Sequence, residues 1–262
     1  MDLAAIIGLL MAVISLVAAF AIEGGGLGML LVLTAFMIVF GGTIGVTIIS
    51  FPWSDLKRVP YFFKKVFTDQ TPYYHDTLES LVFFADVARR EGLLSLENQL
   101  ELVDNRFLRR GLQLIIDGTP AEVVRNIMRL EIESFETSEK VGQDIFTVAG
   151  GYAPTMGIIG TVMGMISVLS NLSNPDELGP AIAVAFLATL YGIASANILW
   201  IPFGTKIKIK TEKEIYFREM ILEGVLSIQV GENPRPLREK LSIYIPPDAQ
   251  KRLEEGKKGG EQ

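Results

Sequence analysis

Apolar residues run without interruption in four stretches of the chain. Leu3 to Ile22 and Leu27 to Trp53 carry no charge and are separated only by Glu23-Gly24-Gly25-Gly26; Ile145 to Pro175 and Leu178 to Thr205 are equally uncharged and are separated by Asp176 and Glu177. A helix needs about 20 such residues to cross a hydrocarbon layer of about 30 Å, because each residue rises about 1.5 Å. The pattern predicts four spanning helices arranged as two tight hairpins. The first window lacks a basic flank and runs straight into a second span, so it reads as a retained span rather than a cleaved leader.

Elsewhere the apolar positions recur at helical spacing and no strand alternation is visible. Leu78, Leu81, Val82 and Ala85 form one such series and Val123, Ile127 and Leu130 another, with Gly92, Gly111 and Gly118-Thr119-Pro120 as breaks. Thr119 is placed to cap a helix that has Pro120 at its first position and runs through EVVRNIMRLEIESFETSEKVGQD into the third span. The expected fold is all-α and polytopic: a membrane hairpin over 1–53, a helical cytoplasmic domain over 54–144, a second hairpin over 145–205, and a C-terminal helix and tail over 206–262. Prolines 234, 236, 246 and 247 punctuate that tail, and its last residues, EEGKKGGEQ, are expected to be disordered. There is no internal repeat.

Charge orients the spans. All 24 Lys and Arg residues fall in two groups, twelve from Lys57 to Lys140 and twelve from Lys206 to Lys258, and neither hairpin loop contains one. Basic residues near span ends stay on the cytoplasmic side, so both loops face outward and both termini face the cytoplasm. FPWSDLKRVPYFFKKVF, at the exit of the second span, mixes Trp53, Tyr61 and Phe62 with Lys57, Arg58, Lys64 and Lys65, as suits contact with lipid headgroups.

Composition narrows the chemistry. A mean hydropathy of +0.36 is high for a chain that is 21% charged, because the average joins two different kinds of sequence. There is no cysteine, and His75 is the only histidine, which argues against thiolate or histidine metal centres and against a catalytic triad. The net charge of −6 argues against nucleic acid as a partner.

The third span contains APTMGIIGTVMGMI, and this is where the sequence becomes specific. Helices in lipid gain little from hydrophobic association, so small residues that allow close approach carry their packing. Gly157, Gly160 and Gly164 lie along one flank of this span, and Ala181, Ala185, Ala188, Gly192 and Ala196 make a matching face on the fourth. Thr161 lies seven residues, about 10 Å, beyond Pro154; Thr189 lies thirteen residues, about 20 Å, before Pro202. Both hydroxyls fall near the middle of the bilayer. No span carries a carboxylate, so if the chain conducts a cation, the charge that replaces its hydration comes from a partner.

The whole chain resembles the flagellar motor stator subunit of the MotA/PomA family. The resemblance rests on the two hairpins, the large insert, APTMGIIGTVMGMI, FLATLYGIASANILWIPFG and the tail GENPRPLREKL. It implies that five copies surround a dimer of a single-span MotB/PomB-type partner whose aspartate binds the ion, in the bacterial cytoplasmic (inner) membrane. It further implies that Thr161 and Thr189 line the ion path, that Pro154 and Pro202 couple ion occupancy to cytoplasmic movement, and that Arg89, Arg90 and Glu97 of ARREGLLSLE face the rotor protein FliG. No cofactor and no enzymatic activity are implied beyond the transported Na+ or H+. Sodium-driven members carry threonine at the position of Thr161 and proton-driven members typically alanine, so sodium is favoured over proton. Two other readings remain open: an ExbB/TolQ-type energy-transducing channel, whose members have three spans, and a non-conducting membrane scaffold.

Overall fold

The computed structural model describes residues 2–69, 72–170 and 175–246, with the backbone alone over 175–177. The tail from Pro247 onward lies outside the described residues. So does the segment 171–174, which belongs to the end of the expected third span. Among the described residues there is no strand. The helices are α1 (Leu3–Ile22), α2 (Leu33–Phe36), α3 (Gly42–Ser50), α4 (Trp53–Leu56), α5 (Val59–Phe67), α6 (Tyr74–Glu91), α7 (Arg106–Ile116), α8 (Ala121–Ser170), α9 (Pro175–Ser195), α10 (Ile201–Gln229) and α11 (Pro234–Ser242). π segments at Met37–Gly41 and Ala196–Trp200 join α2 to α3 and α9 to α10.

Four stretches are long and apolar enough to cross a membrane: Leu3–Ile22, Leu27–Ser50, and parts of Ala121–Ser170 and Leu178–Gln229. The second differs from the uninterrupted helix that its apolar run suggests. A 3-10 turn over Leu27–Leu30 is followed by extended backbone at Leu31 (φ −110°, ψ 82°) and Val32 (φ −114°, ψ 106°) before the helix begins. Unpaired backbone groups are costly in lipid. Here the Tyr191 phenol donates to the Leu30 carbonyl and accepts the Val32 N–H at 3.2 Å, so a side chain from the fourth span repairs the break. The other end of the span stops at Ser50 because Phe51 precedes Pro52 and is extended.

The chain divides into two compact units. One comprises the described residues of 1–70 with those of 138–210; the other comprises those of 71–137 with those of 211–262. The domain boundaries expected from hydropathy lie elsewhere, at 53, 144 and 205. The first unit also takes in α4, α5 and residues 138–144 of α8, whereas the beginning of α8 belongs to the second.

Ionic and aromatic contacts organise the first unit around α5. Phe62, Val66, Phe146, Phe203 and Ile207 form an apolar cluster. Beside it Lys65, 4% exposed, donates to Glu139, also 4% exposed, at 2.6 Å. Arg58 joins at 3.5 Å, lies over the Phe62 ring at 4.9 Å, and donates to the Ser138 carbonyl at 3.1 Å. The expected headgroup segment is therefore two-faced. Tyr61 and Phe63 are exposed, whereas Phe62 and Lys65 are packed inside.

Lys210 gathers the end of α5 and the start of α1. Its ammonium donates to the carbonyls of Lys65 (2.8 Å), Val66 (2.9 Å) and Thr68 (2.7 Å), closing the C-terminus of that helix. It also pairs with Asp2 at 3.0 Å, as does Lys206 at 2.8 Å. Asp2 caps α1 through the Ala5 N–H, and its own N–H donates to the Phe67 carbonyl.

The second unit has a conventional apolar core built from α6, α7, α11 and the parts of α8 and α10 that belong to it. On α8 it buries Val124, Met128 and Ile132 and leaves Val123 and Leu130 exposed, so the buried stripe is offset from the one picked out by spacing. The segment is apolar on two faces and only one meets the core. Gly111 also differs from expectation. It sits inside α7 and breaks nothing: a Cβ there would lie 2.7 Å from Met128 Cε and 2.9 Å from Val225 Cγ2. Gly92 (φ +87°) and Gly118 (φ +73°) do end helices, in the left-handed conformation that favours glycine. The Pro120 carbonyl accepts from the N–H groups of Val123 and Val124, which places Pro120, rather than Thr119, at the helix cap. Arg238 grips Glu79 with both guanidinium nitrogens, raising the arginine pKa.

The Asp2 cluster generates a pH prediction. Burial alone would raise its carboxyl, but hydrogen bonds from Lys206, Lys210 and the Ala5 N–H outweigh burial and hold the pKa at about 2 against an ordinary 3.8. Because folding lowers this pKa, its contribution is complete above about pH 4 and is lost as pH falls toward 2. Thermal unfolding of the detergent-solubilised chain should show that loss between pH 4 and 2. Asp2→Asn should remove it and cost on the order of 2 kcal/mol at pH 7. Identical acid profiles for the two proteins would contradict this assignment.

Candidate functional site

The third and fourth spans pack through the small residues on their facing flanks. A Cβ on Gly157 would lie 2.9 Å from the Ala188 carbonyl oxygen and 3.1 Å from Thr189 Cα; one on Gly160 would lie 2.6 Å from Ala188 Cβ; one on Gly164 would lie 2.7 Å from Ala185 Cβ. From the other side, a Cβ on Gly192 would lie 2.6 Å from the Ala153 carbonyl oxygen and 3.2 Å from Pro154 Cα. The two helices thus meet backbone to backbone, an approach that only glycine and alanine allow. Ala185 and Ala188 are buried in this contact.

Close approach brings the two threonines together. The hydroxyls of Thr161 and Thr189 are in hydrogen-bond contact, and Thr161 Oγ1 also lies 3.1 Å from the Gly157 carbonyl and 3.0 Å from the Ala185 carbonyl. A single hydroxyl proton cannot serve all three acceptors. The group is therefore a cluster of oxygens with more acceptor capacity than donors, half-buried between spans with no charged side chain of their own.

Pro154 sits beside this contact, and Pro202 lies well beyond it along the fourth span. Pro154 lies inside α8 rather than in its first turn, so it removes the hydrogen bond that the Gly150 carbonyl would otherwise accept. Pro202 is exposed near the start of α10, directly after the π segment Ala196–Trp200. A proline ring crowds the carbonyl four residues back, and a widened turn immediately before it relieves that crowding. The Gly150 flank meets Ile201 of the same region, where a Cβ would lie 2.6 Å from Ile201 Cγ1.

Several polar residues in the spans escaped the sequence reading. Asn197 is exposed inside the π segment and donates to the Ile193 carbonyl at 2.8 Å, about 12 Å along the helix from Thr189. Thr43 and Thr47 are buried in α3. Thr47 donates to the Thr43 carbonyl at 2.8 Å, while the Thr43 hydroxyl has no hydrogen-bond partner among the described residues. An asparagine within an apolar run was the one available signal. Nothing in the sequence marked the two threonines as buried, or the Tyr191 phenol as bonded to the backbone of Leu30 and Val32.

Arg89, Arg90 and Glu97 belong to the second unit. The two arginines end α6, and Glu97 lies in the 3-10 segment Leu93–Leu102; all three are exposed. Arg90 pairs with Asp86 at 2.9 Å. Among the described residues Arg89 and Glu97 have no ion-pair partner. Among the same residues there is no group of three or more His, Cys, Asp or Glu placed to hold a metal ion.

Two family models match the chain: Motility protein A N-terminal over residues 6–92, and the MotA/TolQ/ExbB proton channel family over residues 99–220. Motility protein A of Bacillus subtilis is 41% identical over 250 residues, covering 94% of this chain and 92% of that one. In structure, the chain is similar to one in the flagellar MotAB stator complex from Bacillus subtilis, with a TM-score of 0.87 and 40% identity over 94% of this chain and 98% of the other. Similarity to a chain of C. jejuni MotAB gives a TM-score of 0.90 and 32% identity over 95% and 97%. The chain belongs to the MotA/TolQ/ExbB proton channel family. Within it, the amino-terminal match and the near full-length likenesses place it with the MotA-type subunits of flagellar stators.

The backbone contact at Gly192 can be tested directly. Gly192→Val inserts a branched side chain where even a Cβ would strike the Ala153 carbonyl, and overpacking of this kind costs about 1 to 3 kcal/mol. The variant should separate the two spans and reduce the yield of detergent-stable protein severalfold in size-exclusion chromatography. A yield and elution profile equal to the parent would refute the contact.

Proposed function

We propose that this chain is the channel-forming subunit of a flagellar stator and passes a cation, sodium in preference to proton, between itself and a single-span MotB/PomB-type partner. The relatives support such a partner, since the similar chains come from MotAB complexes. The partner's membrane aspartate supplies the negative charge that the spans of this chain lack. Five copies surround a partner dimer, with small-residue faces allowing the close packing; the native mass of the purified complex checks that number. The assembly sits in the bacterial cytoplasmic (inner) membrane with both termini in the cytoplasm, following the placement of the basic residues. Its role is mechanical: no bond in a substrate is made or broken.

The observation that carries this reading is the oxygen cluster of Thr161 and Thr189, midway along two uncharged spans. Sodium must exchange its hydration shell for several oxygens, whereas a proton needs only a titratable carboxylate and a water chain. Thr161 offers such an oxygen, with Thr189 and the Ala185 carbonyl beside it. Pro154 and Pro202 couple occupancy of this site to movement of the cytoplasmic helices, because each interrupts the hydrogen-bond ladder of its span, Pro154 at the contact and Pro202 farther along the fourth span. Arg89, Arg90 and Glu97 engage FliG through exposed charge, which favours fast contact and release.

Swimming speed measured against external sodium, at fixed pH and membrane potential, should rise and saturate, and Thr161→Ala should weaken that dependence. A speed that stays flat down to trace sodium would remove the sodium reading. For the rotor contact, reversing both Arg89 and Glu97 should change folding stability by only a few tenths of a kcal/mol yet abolish most motility. Full swimming with unmodified rotor protein would exclude the assigned surface.

A further inference from the structure

α1 is joined to the rest of its unit in an unusual way. None of its residues is buried, although ion pairs fix its first turn through Asp2. Between its outer half and the fourth span lies a cleft of about 600 Å³. Val17 and Phe20 line it on one side and Leu190, Ala194 and Ile198 on the other, with Phe40 at its back. In a chain that spans a membrane such a space is filled, and its size constrains the occupant. An extended hydrocarbon chain about 5 Å across and 20 Å long occupies roughly 400 Å³ and fits within it.

The polar end of the cleft constrains the headgroup. Among the described residues Glu23 is the only charged one in the lining, and neither outer loop contains a lysine or arginine. The Tyr191 phenol is already engaged with the backbone of Leu30 and Val32. A phosphate-only anionic headgroup would meet a lone carboxylate. A headgroup that carries an ammonium beside its phosphate would be matched by it.

We propose that this cleft holds one acyl chain of a phospholipid with an ammonium headgroup, drawn from the leaflet at the Glu23 end. The site goes beyond the stator reading and does not depend on which ion is carried. The lipid acts as a filler between the outer half of α1 and the fourth span, while Ala5 near the start of α1 packs directly against the Phe62 cluster.

The test uses the full chain co-purified with its single-span partner from native membranes. After extensive detergent exchange the complex should retain phosphatidylethanolamine, and the cleft-filling variant Val17→Trp with Ala194→Phe should retain at least about threefold less. In nanodiscs of phosphatidylethanolamine and phosphatidylglycerol, Glu23→Gln should keep the bound lipid but lose the preference for ethanolamine. Because the chain has no cysteine, Val17→Cys can carry a single nitroxide, which should be broadened by spin-labelled phospholipid. This mild substitution reports even if the filled variant does not fold. Equal lipid retention in a folded filled variant, an unbroadened nitroxide, retention of phosphatidylglycerol alone, or a disulfide between copies at Val17→Cys would each overturn the proposal. The last would show a second copy in the cleft. Motility is not read in any of these assays, so failure here leaves the stator reading untouched.

Discussion

Two helices in lipid have no water to escape from each other's surfaces, so they stay together only where their backbones can come close. In this chain that requirement is met by Gly157, Gly160, Gly164 and Gly192, and the rest of the membrane site follows from it. Close approach is what lets a threonine on one span touch a threonine on the next. It also leaves Pro154 against Gly192, so that an interrupted hydrogen-bond ladder lies in the contact instead of facing lipid. A larger residue at any of the four positions would change the distance on which both features depend.

Away from the glycine contact the first unit relies on charge. The Lys65 and Glu139 pair is nearly inaccessible to solvent, and a buried pair of this kind is weak support for stability as a whole but severe to break from one side. Its value is geometric. It fixes α5 against the helix that becomes the third span, while Lys210 and Asp2 fix the same α5 against the first and fourth. A short helix that hydropathy places at the edge of the membrane thus becomes the point where three spans are registered.

The features that were legible in the sequence are those set by long-range averages. Four apolar runs of sufficient length, one-sided basic residues and two small-residue faces survive any detail of packing, and they gave the all-α polytopic fold and the helices that meet. What was hidden depends on single contacts between distant residues. Nothing in Leu31-Val32 signals a break, because the group that permits it, the Tyr191 phenol, lies 159 residues from Val32. Gly111 looked like a helix breaker because its reason for being glycine, Met128 and Val225, comes from two other helices. The Val123 series and the Val124 series are equally apolar, and only the rest of the core decides between them. Lys65 was assigned to the headgroups by its charge, since the carboxylate that receives it lies 74 residues further along.

The surroundings of Lys210 can also be viewed as a coordination shell. Three carbonyl oxygens and a carboxylate oxygen surround its ammonium at 2.7 to 3.0 Å, four ligands around a cation that happens to be tethered. By the same count the threonine cluster offers two hydroxyls and the carbonyls of Gly157 and Ala185, also four oxygens but with no anion among them. One chain therefore neutralises the cation it owns, but at the threonines it supplies oxygens without charge. Any ion resting there needs its remaining ligands, and its neutralising charge, from water and from another polypeptide.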